Sequence, residues 1–334
     1  MSNAPQFDLT TIGNALVDVL APATEEFIES QAVHGMQKGG MTLIEEPRAV
    51  ELYALMAPAT EMSGGSAGNT IAGFASFGGK GAYIGKVAKD QLGDVFKHDM
   101  TAQGVHFDTT PLAMGAATGR CLILVTPDGN RTMNTFLGAA VEFSKDDVDD
   151  ETVAASAVTY LEGYLFDKDL AKQAYRYASQ VAHEAGKRVS LTLSDSFCVD
   201  RHRADFVDLV KNHTDILFAN EAEIMSLFEV QDFDAAVKAV QGQCEIAAIT
   251  RSEKGSVIVT KDGVVEIKAE PVAKVVDTTG AGDQYAAGFL YGFTQGMDLA
   301  ACGRLGSLAA AEVIGHMGPR PAVAYADFLK KIAA

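Results

Sequence analysis

The chemistry of this chain is concentrated in one short segment, Asp277–Asp283, which is followed by an apolar pattern typical of a helix. The small residues Gly280, Ala281 and Gly282 leave uncovered the backbone N–H groups of the helix start, which have no helical partners. Together with the helix dipole, these groups predict an anion site that needs no basic side chain. A carboxylate beside phosphate is repelled by it, so we interpret Asp283 as the general base for an attacking hydroxyl. The simpler alternative is an acidic residue that only complements the dipole.

Two further motifs stand before this segment. The glycine-rich stretch Ser63–Thr70 lies in the first quarter of the chain, and Asn220–Glu223 lies between it and the segment above. The order and spacing of the three motifs resemble those of the ribokinase/PfkB family of carbohydrate and nucleoside kinases. The resemblance spans residues 1–334 and implies a ribokinase-like α/β kinase domain, a three-layer α/β/α sandwich with a small β-rich lid.

Other modes of phosphate binding lose support, because the sequence has no Walker Gly-x-x-x-x-Gly-Lys-Ser/Thr motif and no complete Gly-x-Gly-x-x-Gly motif. In the resembled family, residues matching Gly280–Asp283 form the anion hole, and the one matching Asp283 is the base. An aspartate with an ordinary pKa of about 3.9 is already ionised at pH 7, so no large pKa shift is required for it to act as a base. Gln284-Tyr285 departs from the family pattern, in which a small residue and Phe are common.

The acceptor side is predicted near the first strand. Asn14 and Asp18 lie toward the end of that strand, where such residues are often only turn formers. With Gly64, Gly65 and Asn69, they match the residues that bind substrate hydroxyls in the family. A carboxylate combined with amides suits a vicinal diol, and glycines allow the backbone to approach a sugar closely. The spacing of Asn14 and Asp18 resembles the adenosine kinase branch rather than the ribokinase-like members.

A purine would require a flat apolar slot, for which the candidate walls are Leu16, Met133, Phe136 and Phe166. Apolar residues at such spacing are more often simply part of the core. Arg131 lies in a predicted lid hairpin, and we expect its planar guanidinium to clamp the phosphates. The alternative for Arg131 is a solvated hairpin charge.

The nucleotide side is predicted at the stretch from Thr250 to Gly255, which lies between a strand and a hairpin. It resembles the ATP-binding Thr-x-Gly-x-x-Gly turn of the family, although Ser252 replaces the first glycine. The resemblance implies that Thr250, Arg251 and Gly255 contact ATP.

Metal binding is implied at two places. Asn220 and Glu223 resemble the residues that face the triphosphate and Mg²⁺, and we expect Glu223 to act through water, because Mg²⁺ keeps several of its waters. Asp277 and Thr279 match positions that hold a monovalent cation in some relatives, for which K⁺ is the candidate. The seven histidines show no spacing typical of metal ligands. The expected cofactors are therefore ATP and Mg²⁺, with K⁺ as an addition.

Strand-like and helical patterns alternate along most of the chain, which predicts a parallel sheet covered on both faces. Phe7–Val19 is predicted to be one strand. Residues of about 20–46 and 108–140 break the alternation, and the second region contains a predicted hairpin, 119–125 and 131–137. These regions predict a lid over the ligand face, with a plain extension of the sheet as the alternative.

Composition limits the partners. Lys and Arg number 27 against 44 Asp and Glu, a net charge of −17, which disfavours nucleic acids and anionic membranes as partners. The four cysteines form no Cys-x-x-Cys pair, and no signal-peptide or membrane-spanning pattern is present. We expect a cytoplasmic protein, a monomer or homodimer, that acts on a small molecule.

These features together predict ATP-dependent phosphorylation of a primary hydroxyl, most simply the 5′-hydroxyl of adenosine in purine salvage. Glu162–Tyr164 and Leu193–Phe197 also resemble strand ends of the adenosine kinase branch. One alternative is a sugar kinase of the same family, acting on ribose, fructose or a related sugar. Another is a catalytically silent nucleoside-binding regulator on the same fold.

Overall fold

The computed structural model describes residues 6–332, which form two β-sheets and the helices that cover them. The strands are β1 (Phe7–Ile12), β2 (Leu16–Pro22), β3 (Met41–Leu43), β4 (Thr60–Ser63), β5 (Gly81–Ile84), β6 (His106–Phe107), β7 (Gly119–Val125), β8 (Arg131–Phe136), β9 (Ser156–Glu162), β10 (Arg188–Thr192), β11 (Ile216–Asn220), β12 (Ile246–Thr250), β13 (Ser256–Thr260) and β14 (Gly263–Ile267).

Twelve α-helices connect these strands within the described residues. They are α1 (Glu25–Ser30), α2 (Glu46–Leu55), α3 (Ser66–Ser76), α4 (Gln91–Ala102), α5 (Asp150–Ala154), α6 (Asp169–Glu184), α7 (Ser196–Asn212), α8 (Glu221–Phe228), α9 (Phe233–Val240), α10 (Ala281–Thr294), α11 (Leu299–Val313) and α12 (Leu329–Ile332).

The larger sheet has nine strands in the order β14-β13-β12-β11-β10-β9-β1-β5-β6. Neighbours from β12 to β6 pair in parallel, while the β13–β14 hairpin adds antiparallel strands at one edge. Helices α3, α4, α10 and α11 contribute to one buried apolar cluster, and α5 to α9 contribute to the cluster on the other face. The predicted three-layer α/β/α sandwich is therefore confirmed.

The first strand is shorter than predicted, because Phe7–Val19 divides into β1 and β2. β1 lies in the large sheet, whereas β2 pairs with β4 and β7 in the second sheet. The chain turns at Gly13, where a Cβ would clash with the side chain of Glu162. The next residue, Asn14, donates its side-chain amide to Glu162 at 2.8 Å. A buried carboxylate thus holds the break that transfers the chain from one sheet to the other.

The second sheet has five strands in the order β3-β8-β7-β2-β4, and we call it the lid sheet. The predicted hairpin of β7 and β8 is present, with six register pairs between its strands. The lid sheet takes in more of the chain than the expected regions 20–46 and 108–140, since β2 begins at Leu16 and β4 ends at Ser63. Helix α2, which the sequence pattern did not predict, packs against β7 and β8.

Two remaining expectations concern the cysteines and membranes. Cys121, Cys198 and Cys302 are buried, and no disulfide joins cysteines within residues 6–332. Among residues 6–332, no helix has both the length and the apolar character needed to cross a membrane.

Candidate active site

The predicted site residues gather at the carboxyl edge of the nine-stranded sheet. Glu162 ends β9, Asn220 ends β11 and Thr250 ends β12. Ligands of open parallel sheets bind outside this edge, because the strand ends leave a crevice between their loops. The lid sheet starts from the same edge, since β2 follows β1 after the turn at Gly13. The fold therefore brings the acceptor, phosphate and nucleotide motifs to one crevice.

The anion site is the start of α10. Its N-cap residue, Gly280, has a φ of 79° and offers no capping side chain. A Cβ at Gly280 would lie 2.7 Å from the side chain of Pro319, so glycine is required there. The amide of Ala281 donates to Thr278, but those of Gly282 and Asp283 have no partner in the described part of the chain. Open space lies where a Cβ of Gly282 would point, so the free amides fit an anion.

Asp283 is held by two neutral donors from α3. The hydroxyl of Ser66 donates to one carboxylate oxygen at 2.6 Å, and the side-chain amide of Asn69 donates to the other at 3.0 Å. Burial raises the pKa of Asp283 to about 6, although these hydrogen bonds and Arg320 act to lower it. Burial has this effect because it removes water from the carboxylate and so disfavours its charged form. A base with a pKa near 6 is still mostly ionised at pH 7.

Asp18 is the second carboxylate of the crevice. It is buried, and a Cβ at Gly64 would collide with its carboxylate, so the glycine loop lies directly against it. Burial raises the pKa of Asp18 to about 6, while Arg320 and Arg131 act to lower it. Gly65, with a φ of 80°, passes so close to the carbonyl of Asn14 that no side chain fits. The predicted glycines therefore bring the backbone close to Asp18 and Asn14.

Asn14 is positioned by Glu162, which the sequence motifs did not assign a role. Glu162 accepts hydrogen bonds from the backbone and side chain of Asn14 and from the backbone of Ala67 at 2.7 Å. Burial raises its pKa to about 7. The side-chain oxygens of Asn14 and Asn69 are buried and have no hydrogen-bond partner within residues 6–332. These two acceptors fit the hydroxyl donors of a polar ligand.

Arg131 is buried rather than solvated. Its Nη1 donates to Asp277 at 2.6 Å, whereas its Nε and Nη2 have no partner in the described chain. Asp277 also accepts from the amides of Thr279 and Gly318, both at 3.0 Å. Burial acts to raise the pKa of Asp277, but these amides and Arg131 outweigh it and hold that pKa below its ordinary value. The ion pair links lid strand β8 to the loop before α10.

The contacts of Asp277 do not fit the predicted monovalent-cation site at Asp277 and Thr279. The carboxylate already accepts three hydrogen bonds, one of them from the guanidinium of Arg131. A second cation at the same carboxylate would be repelled by the first. The role of Asp277 in this structure is therefore to neutralise Arg131.

Asn220 and Glu223 form a capping box at the start of α8. The side chain of Asn220 accepts from the amide of Glu223, and the carboxylate of Glu223 accepts from the backbone and side chain of Asn220. Burial raises the pKa of Glu223 to about 7, and the nearby carboxylates of Asp195 and Asp283 raise it further. A carboxylate already engaged with Asn220 fits Mg²⁺ held through water rather than by direct coordination.

The turn after β12 matches its prediction only in part. Gly255 has a φ of 87° and no room for a side chain, and Ser252 has a φ of 52°, which is unusual for a residue other than glycine. Serine thus adopts the backbone shape for which the family pattern uses glycine. Arg251 stacks over the ring of Phe233 and pairs with Glu221, so its charge is engaged within the protein.

The candidate purine walls separate into two groups. Leu16, Met133 and Phe136 lie on lid strands β2 and β8. Phe166 was a wrong choice, since it is fully buried and packs against Tyr175 and Phe206 in the core.

Among the described residues, no group of three or more His, Cys, Asp or Glu side chains is gathered to hold a metal ion directly.

Ser66, Glu162 and Arg320 are site residues that sequence reasoning missed as such. Ser66 stands inside the glycine-rich motif, where its position at the start of α3 could have indicated a donor. Glu162 stands at a predicted strand end, which was the available signal. Arg320 lies in an irregular segment after α11, and no motif pointed to it.

Comparison with known proteins agrees with this geometry. The model of the pfkB family carbohydrate kinase matches residues 46–324. The structure of an adenosine kinase from Sinorhizobium meliloti is 52% identical in sequence, covers 98% of this chain and 100% of that one, and superposes with a TM-score of 0.90. A structure described as a probable sugar kinase protein from Rhizobium etli is 48% identical, covers 98% and 99%, and also has a TM-score of 0.90. The adenosine kinase of Saccharomyces cerevisiae is 28% identical over 93% of this chain and 96% of that one.

Proposed function

The chain belongs to the pfkB family of carbohydrate kinases, and we propose that it transfers the γ-phosphoryl group of ATP to the 5′-hydroxyl of adenosine, giving AMP. As a member of this family it is an ATP-dependent kinase that acts on an alcohol group and uses Mg²⁺. The adenosine kinases among its relatives support adenosine as the acceptor.

The observation that carries the proposal is the place of Asp283 between two kinds of group. On one side are the free amides of Gly282 and Asp283 at the start of α10. On the other side are Ser66 and Asn69 of α3, next to the acceptor loop. A hydroxyl here would lose its proton to the carboxylate as its oxygen bonds to phosphorus, and ADP would leave.

The acceptor residues support a ribose as the part that is phosphorylated. The unpartnered side-chain oxygens of Asn14 and Asn69 are acceptors that hydroxyl groups would satisfy. Asp18, pressed against Gly64, adds a carboxylate that accepts from a vicinal diol. Together they would orient the sugar so that its primary hydroxyl faces Asp283.

Two aromatic rings at the sheet edge support a purine beyond the sugar. Tyr164 comes two residues after the end of β9 and is 37% exposed, with its backbone amide and hydroxyl donating to Ser194. Phe197 follows β10 and is 74% exposed. Exposed aromatic faces are suited to stacking on a flat base, which a sugar alone would not require.

The phosphate side would be served by three groups of this chain. The free amides at the start of α10 would stabilise charge on the transferred phosphoryl group. The Nε and Nη2 atoms of Arg131, buried without partners in the described chain, would donate to phosphate oxygens. Asn220 and Glu223 would hold Mg²⁺ through water, and that ion supplies neutralisation of the triphosphate charge. Closure of the lid sheet would exclude water and limit hydrolysis of ATP.

A substrate panel tests the proposal directly. Adenosine, other nucleosides, ribose and fructose are each incubated with ATP and Mg²⁺, and ADP release and the mass of the product are followed. We expect adenosine to give the highest kcat/KM, with AMP as the product. Higher kcat/KM for ribose or fructose would overturn adenosine in favour of the sugar kinase alternative. If none of the tested acceptors gives ADP release, both alternatives are overturned.

A further inference from the structure

The irregular segment of residues 317–321 lies between the two sides of the site. On the phosphate side, the amide of Gly318 donates to Asp277, and Pro319 packs against Gly280. The carbonyl of Pro319 accepts from the buried side-chain amide of Gln284 at 2.9 Å, which also donates to the carbonyl of Asn69 at 3.0 Å. Gln284, which departs from the family pattern, thus connects this segment to α3 through two hydrogen bonds.

On the acceptor side, the same segment ends in Arg320. Its Nη2 donates to the backbone carbonyl of Ser63 at 2.5 Å and lies 3.0 Å from the Ser63 hydroxyl. Its Nη1 donates to Gln103 at 3.1 Å. The guanidinium therefore holds the residue that directly precedes Gly64 and Gly65.

Ser63 is also held from a second direction. The carboxylate of Asp99 on α4 accepts from its backbone amide at 2.9 Å and from its hydroxyl. The amide of Gly64 donates to the carbonyl of Leu16 at 2.7 Å. The loop is therefore fixed at Ser63 by a cation from the C-terminal segment and an anion from α4, and Asp18 lies against the glycine that follows.

The charge of Arg320 is not neutralised by a direct ion pair. No carboxylate within residues 6–332 lies within salt-bridge distance of its guanidinium, whereas Arg131, the other cation near Asp18, is paired with Asp277. Arg320 is the first of the charges that favour the ionised form of Asp18, and the negative charges of Asp99 and Asp283 also reach it. The buried Nε of Arg320 has no partner in the described chain.

We propose that Arg320 is a positioning residue for the acceptor, which holds the Ser63–Gly65 loop in place and supplies the positive charge that keeps Asp18 able to accept substrate hydroxyls. Burial disfavours an ionised Asp18, and a protonated carboxyl would lose acceptor sites for a diol. The cation and the loop act on the same carboxylate, so both parts of the role converge on acceptor binding. The proposal rests on the proposed function for the identity of the acceptor.

The test compares Arg320→Gln, Arg320→Lys and the wild type, with Arg304→Gln as the control. Arg304 is exposed on α11, away from the site. The Kd for adenosine is measured by calorimetry without ATP. Because a hydrogen-bonded charge is lost, we expect the Kd for adenosine to rise about 10–100-fold in Arg320→Gln and by less in Arg320→Lys. The control should keep the wild-type Kd. The KM for ATP stays unchanged in all variants.

The pH dependence of the same Kd separates this role from a merely structural one. The charged or titratable groups that face Asp18 are Arg320, Arg131 of β8, Asp283 of α10 and Cys121 of β7. As pH falls, protonation of Asp18 weakens adenosine binding. Without the Arg320 charge this loss begins at a higher pH than in the wild type, whereas Arg320→Lys keeps the wild-type profile. Arg320→Lys retains the charge and the apolar stem, so it serves if Arg320→Gln does not fold.

Three results would overturn the proposal: an unchanged Kd in Arg320→Gln, an equal rise in the KM for ATP, or a pH profile of Arg320→Lys that has moved from that of the wild type. If the substrate panel selects a sugar, the titrations are run with that sugar. A wrong acceptor is detected with the wild type alone, so it is distinguishable from a wrong role for Arg320.

Discussion

Two aspartates lie close together in sequence, Asp277 in the loop before α10 and Asp283 in the first turn of α10, and their surroundings are opposite. Asp277 accepts from a guanidinium and two backbone amides, and its pKa lies below the ordinary value. Asp283, six residues later, accepts from a hydroxyl and a side-chain amide, and burial raises its pKa to about 6. The same residue type is thus a paired counter-ion at position 277, whereas at position 283 it has the surroundings of the proposed proton acceptor.

The difference teaches that the hydrogen-bond donors around each carboxylate, more than burial alone, separate the two aspartates. Burial acts to raise both pKa values, but only Asp277 has a cation and two amides that outweigh it. The stabilisation from Asp277 is present above its unfolded pKa and is lost as pH falls through its lowered folded pKa. For Asp283 the sign is reversed, since its ionisation costs stability as pH rises from its unfolded pKa to about 6. A carboxylate whose ionisation is disfavoured has a raised pKa and therefore accepts a proton more readily.

The largest effect should come from removing the proton acceptor. Asp283→Asn keeps the shape and the contacts of the side chain but cannot take the proton, so we expect kcat to fall by roughly 10²–10⁴-fold. The KM for adenosine should change little. The assay is ADP release under saturating ATP and Mg²⁺. Asp262→Asn, in the exposed turn of the β13–β14 hairpin, is the matched control and should keep wild-type turnover. A kcat within the range of that control would remove Asp283 as the base.

Removing the counter-ion should act on stability instead. Asp277→Asn leaves the buried guanidinium of Arg131 without its anion, so we expect the free energy of unfolding to fall by about 3–5 kcal/mol. The measurement is equilibrium unfolding in urea. If the two aspartates differ as described, Asp283→Asn does not destabilise the protein, because its partners are neutral donors.

A double variant is the control for this prediction. Arg131→Met in the Asp277→Asn background removes the unpaired charge and should recover part of the lost stability, because the buried cation is the source of the cost. Equal stability of the single and double variants would show that the cost comes from the amides of Thr279 and Gly318 rather than from Arg131.

The layers of the fold were predictable because their signals are local. Alternating strand and helix patterns indicate a parallel sheet with two covered faces, and the Asp262-Gly263 turn indicates the hairpin of β13 and β14. The division of Phe7–Val19 into β1 and β2 was not, because the apolar run continues through the turn. The turn depends on Glu162, about 150 residues away in sequence, whose carboxylate holds Asn14.

The candidate site was predictable where all of its groups lie in one short segment. The free amides of α10 and the position of Asp283 follow from seven consecutive residues. The pKa of Asp283, the pairing of Arg131 with Asp277 and the place of Arg320 all depend on contacts between distant segments. Sequence reasoning identified Arg131 as a phosphate ligand, which stays a prediction, but its ion pair required the structure.

The smallest effect should come from a change that raises the pKa of Asp283 further above that of Asp277 and leaves the carboxylate itself in place. With Asp283 as the proposed base, activity would require its ionised carboxylate, so kcat/KM for adenosine should fall as pH drops below about 6, with protonation of Asp18 near the same pH steepening the decline. Ser66→Ala removes a hydrogen bond that favours ionised Asp283. We therefore expect its kcat acid limb to move upward by about one pH unit. Ser30→Ala, on exposed α1, should not move it. A downward shift in Ser66→Ala would mean that its hydroxyl does not favour the ionised base.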